Sequence, residues 1–246
     1  MPAERTKPRR PDQLPPGRHG IPREQIVESQ RTRMLQAVLD AVAAQGYQDT
    51  RVTDIIGRAG VSRKTFYEHF DEKEECFLAA YDRELAQLTE EVASAFFGDE
   101  GTARRWTEQV RDGVRAFLRY LAEHPAAARV CMVDAMGAGP KAIAKREAAL
   151  RNFTYLIDAG RSEAKSEVPG RTAVAVLGGS NELIAAELIH GSAANVETLA
   201  PDIVYLITLP FLGPKAAVAE REKTRKELEA AGIAGRPTAK AEREPA

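Results

Sequence analysis

Residues 46–70 read GYQDTRVTDIIGRAGVSRKTFYEHF, and the fold turns on this stretch. Val52 to Ala59 has the spacing of a short helix, with Val52, Ile55 and Ile56 turned inward. Gly60-Val61-Ser62 then makes the turn: Gly60 permits a positive φ, Val61 plugs the angle between two helices, and Ser62 caps the helix that follows. That helix, Arg63 to Phe70, carries Phe66 and Phe70 on one face, which buries them against the preceding helices. Arg63, Lys64, Tyr67 and the polar faces of Thr65 and His69 are left pointing outward. The arrangement is a helix-turn-helix. Its second helix begins with unpaired N–H groups and a positive dipole end that favour a phosphate, and Arg63, Lys64 and Thr65 add donors there. Two short helices joined by a glycine turn also occur as structural corners, so this geometry alone leaves both readings open.

Upstream, Met34, Leu35, Val38, Leu39 and Val42 form one apolar face of a helix that runs from about Arg23 until Gly46 stops it. Downstream, Asp71-Glu72-Lys73-Glu74 opens a long helix in the manner of a capping box, with Asp71 as cap and Glu74 reaching back, and the helix continues to about Phe97. Gly101-Thr102 punctuates it. Val110, Val114, Phe117, Leu118 and Leu121 mark the next face, which His124-Pro125 breaks. Two more helices flank Gly137-Ala138-Gly139-Pro140, and after Val168-Pro169-Gly170 come two apolar ones, Arg171 to Asn195 and Pro201 to Leu212. No alternating run bounded by hairpin signals interrupts this periodicity, so the expected fold is all-α. The expected organisation is a disordered basic arm over 1–22, where six of the 14 prolines lie, then a helix-turn-helix domain over 23–72. A helical domain over 73–218 and a charged tail over 219–246, opening as a frayed helix, complete it.

Gly46-Tyr47, Thr50, Ile55, Gly60-Val61-Ser62, Thr65-Phe66-Tyr67-Glu68-His69-Phe70 and Lys73-Glu74 together resemble the signature of the TetR family of transcriptional regulators. The resemblance implies that Ser62, Arg63, Lys64 and Thr65 reach the major groove, that Tyr67, His69 and Lys73 grip phosphates on either side, and that Thr50 holds another. Arg51 stands where the family usually has Ser or Thr, which leaves Thr50 or Asp49 to cap the second helix and frees Arg51 for a phosphate. Ile56-Gly57 replaces the usual Ala followed by a polar residue, and a mid-helix glycine costs about 1 kcal/mol. Arg63 is the better base reader, because a guanidinium pairs directionally with guanine and an ammonium does not. Plainer readings stand beside these: Tyr67 and His69 packing or bonding within the module, Lys73 as a solvated surface charge. The basic arm either reaches a neighbouring groove or remains a solvated tail.

One such module reads few base pairs, and regulators of this shape pair two of them about one helical turn apart. Val174, Leu177, Asn181, Ile184 and Leu188 alternate by three and four, as a dimer seam does, with Gly178, Gly179 and Ala185 allowing close approach. The same pattern fits a helix central to its own core. The resemblance implies a homodimer through the last two long helices, here Arg171 to Asn195 and Pro201 to Leu212. It also implies a pocket between Tyr81 and Tyr155 for an unknown small-molecule effector that releases a palindromic operator. Candidate lining residues are Trp106, Phe117, Tyr120, Met132, Met136, Phe153 and Tyr155, all of which also suit plain core.

Composition narrows the rest. Lys plus Arg number 35 against 36 Asp plus Glu, so any polyanion site is local rather than global. Cys76 and Cys131 fit neither a disulfide framework nor a zinc site and read as buried thiols. The longest apolar stretch, Ile203 to Gly213, falls short of a membrane span, and the N-terminus lacks a secretion signal, so a cytoplasmic protein without membrane contact is expected. The absence of H-E-x-x-H spacing, a Gly-rich phosphate loop or a G-x-S-x-G elbow argues against an enzyme, and no cofactor is expected. The function read from this is a repressor, with an activator of the same fold or a DNA-free protein-interaction module as alternatives.

Overall fold

The computed structural model of the chain describes residues 22–98 and 104–233, which are helical and contain no strand. They divide into two compact units, one ending at Ala80 and the other beginning at Tyr81. The expected basic arm apart from Pro22, the Gly101-Thr102 break and residues 234–246 lie outside the described residues.

In the first unit, α1 (Arg23–Gln45) buries Met34, Leu35, Ala37, Val38, Leu39, Ala41 and Val42. It stops at Gly46, whose φ of 81° strains any residue with a Cβ. α2 (Val52–Ala59) and α3 (Arg63–His69) follow. Neither Thr50 nor Asp49 caps α2. The cap position is Arg51, and Asp54 reaches back to accept the Arg51 N–H at 2.8 Å. A carboxylate in the first helical turn also suits the dipole, and Gln45 donates to it at 3.1 Å. At the other end, Arg33 donates to the Ala59 carbonyl, so α1 holds both ends of α2. Gly60 is left-handed, with φ 65° and ψ 40°, and it and Val61 both donate to the Ile56 carbonyl, which closes the turn.

α4 (Lys73–Phe97) runs from the first unit into the second. Glu75, not Glu74, reaches back to accept the Asp71 N–H, at 2.7 Å. The division falls inside α4 rather than at its start, because Cys76 and Phe77 are fully buried with the first unit. The Phe77 ring lies edge-on to Tyr47 at 4.9 Å.

The second unit continues with α5 (Trp106–Glu123), α6 (Pro125–Met132), α7 (Pro140–Asp158), α8 (Thr172–His190), α9 (Ala200–Leu212) and α10 (Pro214–Ala230). Leu88, Val92, Phe96, Trp106, Leu118, Ile157, Val204 and Phe211 belong to one buried cluster. α8 ends earlier than expected, at Gly191, and Ala193–Leu199 turns as a 3-10 helix. The frayed helix expected from residue 219 is part of a longer helix, α10, that begins at Pro214 and runs to Ala230. Its docking stripe is Ala217, Glu220, Thr224 and Leu228, in which Leu228 alone is a large apolar side chain. Glu220 pairs with Arg111 and Lys223, and Glu227 with Arg111 and Arg115, so the charges of this segment fasten it to α5.

Candidate nucleic-acid interface and ligand cavity

Phe66 and Phe70 are buried, with ring centroids 5.8 Å apart, and their burial sets the rotation of α3. Arg63, Lys64 and Tyr67 stand in solvent on the opposite side. The Arg63 guanidinium lies 5.7 Å from the Tyr67 ring, which pre-orders it without committing its donors. Lys64 approaches Glu68 at 3.8 Å, a contact too long and exposed to hold it. Ser62 is the cap of α3: its hydroxyl accepts the Thr65 N–H at 3.0 Å and bonds the Thr65 hydroxyl at 2.9 Å. Arg51 is exposed at the start of α2.

Three other expected phosphate ligands have internal partners. Thr50 is buried, and its hydroxyl donates to the Gly46 carbonyl at 2.7 Å. Lys73 donates to the carbonyls of Tyr47 at 2.7 Å and Thr50 at 2.8 Å, and its ammonium lies 4.1 Å from the Tyr47 ring. Partial burial holds its pKa below the usual lysine value. His69 is half-buried with Nε2 at 3.5 Å from Gln30 Oε1, and burial followed by Arg31 lowers its pKa, so it is neutral at pH 7. Cys76 and Cys131 are buried free thiols, each pushed up to about 12 by burial, and so unreactive.

The second unit encloses a cavity of about 960 Å³, counting its open mouth. Tyr81, Leu85, Leu88, Val92 and Phe96 of α4 line one wall; α5, α6, α7, α8 and α9 supply the others. Of the seven expected lining residues, Phe117, Met132 and Phe153 are there. Met136 is 57% and Tyr155 76% exposed. Trp106 is core: its Nε1 donates to the Leu156 carbonyl at 3.1 Å, its ring lies 5.0 Å from Phe211, and it sits so close to Gly160 that a Cβ there would lie 2.5 Å from it. Tyr120 is buried and donates to Glu84 Oε2 at 2.9 Å, and burial first, then Glu84, raises its pKa. Residue type had singled out aromatics, whereas the wall is mostly Leu, Ile and Val, which no sequence signal separates from core.

The expected dimer stripe is divided. Leu177, Asn181 and Ile184 line the cavity, Leu188 packs on the core, and Val174 is exposed. The outward face of α8 carries Val174, Gly178, Gly179, Leu183, Ala186 and Ile189. Contrary to the expectation drawn from Ile203 to Gly213, α8 is by length and composition apolar enough to cross a membrane, with mean hydropathy 1.3 and only 17% of the window buried. Glu182 and Glu187 break the run without lowering its average enough.

Residues 35–80 match the family "Bacterial regulatory proteins, tetR family". The chain is 31% identical over 123 residues to the HTH-type transcriptional activator FasR of Mycolicibacterium smegmatis, a match over 48% of this chain and 52% of that protein. It thus spans about half the length of this relative. The fold is similar to that of the fatty acid degradation regulator FadR from Bacillus halodurans, with a TM-score of 0.64 and 18% identity over 72% of this chain and 94% of the other. It is also similar to FadR from Bacillus subtilis in complex with stearoyl-CoA, with a TM-score of 0.62 and 17% identity over 72% and 96%. Residues 35–80, with the exposed face of α3, thus form a helix-turn-helix domain similar to that of the tetR family of bacterial regulatory proteins.

Proposed function

We propose that the protein binds a palindromic operator as a homodimer, represses transcription from it, and is released when a small molecule enters the cavity. The observation that supports this best is the division of α3: Phe66 and Phe70 are buried, while Arg63, Lys64 and Tyr67 stand free in solvent. In this reading Arg63 reads a base edge, with Ser62, Lys64 and Thr65 beside it in the major groove. Arg51, Tyr67 and His69 contact phosphates. Thr50 and Lys73, with their donors directed at main-chain carbonyls, serve by holding the turn before α2.

The exposed apolar face of α8 is what a second copy would cover, and homodimers of this kind act in the cytoplasm, where their operators are. The effector is a long-chain acyl compound: the cavity walls are overwhelmingly apolar, and a structure of similar fold was solved with stearoyl-CoA. A ligand that displaces the α4 wall acts on the same continuous helix whose first residue, Lys73, holds that turn. Activation is the second reading, favoured by the name of the FasR relative; the position of the operator relative to its promoter decides the sign.

Selection of bound fragments from a random DNA pool at two salt concentrations tests the proposal. Enrichment of an inverted repeat, with affinity falling steeply as salt rises, is the expected result. No enrichment at either concentration would reject DNA binding by the free protein.

A further inference from the structure

Besides Tyr81 and Cys131, three side chains bring polar atoms to the otherwise apolar cavity wall, and each of these three has an atom without a hydrogen-bond partner among the described residues: Nε of Arg146, Oγ of Ser180 and Oδ1 of Asn181. Ser180 is only 5% exposed. Arg146 makes no ion pair among the described residues, whereas its neighbour Lys145 is held by Asp82 at 2.7 Å. Arg146 is half-buried, and its Nε–H, buried on an apolar wall without a partner, carries a cost that a leucine there would not. An oxygen-bearing group entering the cavity would supply that missing acceptor.

Position supplies the rest. The Lys145–Asp82 pair sets this part of α7 beside the beginning of the α4 wall, where the Tyr81 phenol feels the Arg146 charge. From Tyr81 the wall runs through Leu85, Leu88 and Val92 to Phe96, about 22 Å of helix at 1.5 Å per residue. That is the length of an extended long-chain hydrocarbon.

We propose that Arg146 receives the oxygen-bearing end of a long-chain acyl ligand, a carboxylate or a thioester carbonyl, with the hydrocarbon laid along α4 toward Phe96 and with Ser180 and Asn181 offering hydrogen bonds from α8. The inference rests on reading the cavity as the effector site and adds to it the residue that selects the head group. A guanidinium donates paired N–H groups that match an acyl oxygen better than an alcohol, and the dry wall strengthens the contact.

The test is calorimetric titration of the full chain with hexadecanoate, hexadecanoyl-coenzyme A and hexadecanol, repeated on Arg146→Met and Arg146→Lys. Methionine keeps the length and apolar character of the stem, and thermal unfolding of each variant verifies the fold. At least one acyl ligand is expected to bind the native protein about tenfold or more tighter than hexadecanol. Arg146→Met erases that margin while changing hexadecanol binding less than about twofold, and Arg146→Lys retains part of it. Loss on hexadecanoate assigns the carboxylate; loss confined to the coenzyme A ester assigns the thioester. Equal affinity for all three ligands in the native protein, or an equal loss for all three in Arg146→Met, overturns the head-group role and leaves the effector cavity standing. Binding of none of the three overturns both.

Discussion

Lys73 has three ammonium protons, and two of them are given to the carbonyls of Tyr47 and Thr50. These two carbonyls belong to the turn that sets the start of α2, and Thr50 closes the same turn through its own hydroxyl to Gly46. Removing the ammonium leaves the Thr50 carbonyl without its donor and the Tyr47 carbonyl with only the long 3.3 Å bond from the Thr50 N–H, which costs about 1–3 kcal/mol. Lys73→Met is therefore expected to lower the urea midpoint of the first unit by a corresponding amount, and operator affinity with it. A variant with native stability and weakened DNA binding would return Lys73 to the phosphate-gripping role implied by family resemblance. Nothing in the sequence distinguishes the two roles, since a lysine at a helix start serves either, and the geometry of the Tyr47 and Thr50 carbonyls exists only once the turn has folded.

Helices α2 and α8 each carry glycine where an alanine would fit the protomer. Gly57 is exposed in the middle of α2, and a Cβ there meets nothing within 4 Å. Gly57→Ala should stabilise the protein by about 1 kcal/mol, read as a higher midpoint of chemical unfolding. Gly178 and Gly179 also open onto empty space in the protomer, but they lie on the apolar outer face of α8. If that face meets a second copy, Gly179→Ala weakens association by holding the helices apart, so its midpoint falls or stays level at low protein concentration. A gain equal to that of Gly57→Ala would mean that α8 faces water. The helices themselves were largely legible in advance, because Gly46, Gly60, His124-Pro125 and Gly213-Pro214 act through local backbone conformation. The docking of α10 was less so, because a stripe of Ala217, Glu220, Thr224 and Leu228 on a charged helix becomes a buried face only when α9 lies against it and Arg111 is there to pair Glu220.

For the molecule as a whole, the surface to explain is the outer face of α8, where Ile189 is 51% and Val174 59% exposed. If the proposed homodimer forms through this face, Ile189→Arg gives a monomer by sedimentation velocity and weakens operator binding by about tenfold or more, because one module reads only half of a palindromic site. An unchanged dimer would place the interface elsewhere. Leu188 is unsuitable for this test, since it packs on the core of its own protomer and its loss would unfold as well as dissociate. The all-α class, the helix-turn-helix and its exposed Arg63, Lys64 and Tyr67 were all readable from the order of residues, because each depends on contacts within one helix or across one tight turn. The cavity and the outer face of α8 were not. Leu177, Asn181 and Ile184 obey the same three-and-four spacing whether they face a partner or a hollow interior, and the spacing of a helix records which residues share a side without recording what lies opposite. That is settled by the packing of α6, α7 and α9 against α8, which turned those residues and Arg146 toward one cavity and left Val174, Gly179 and Ile189 outside.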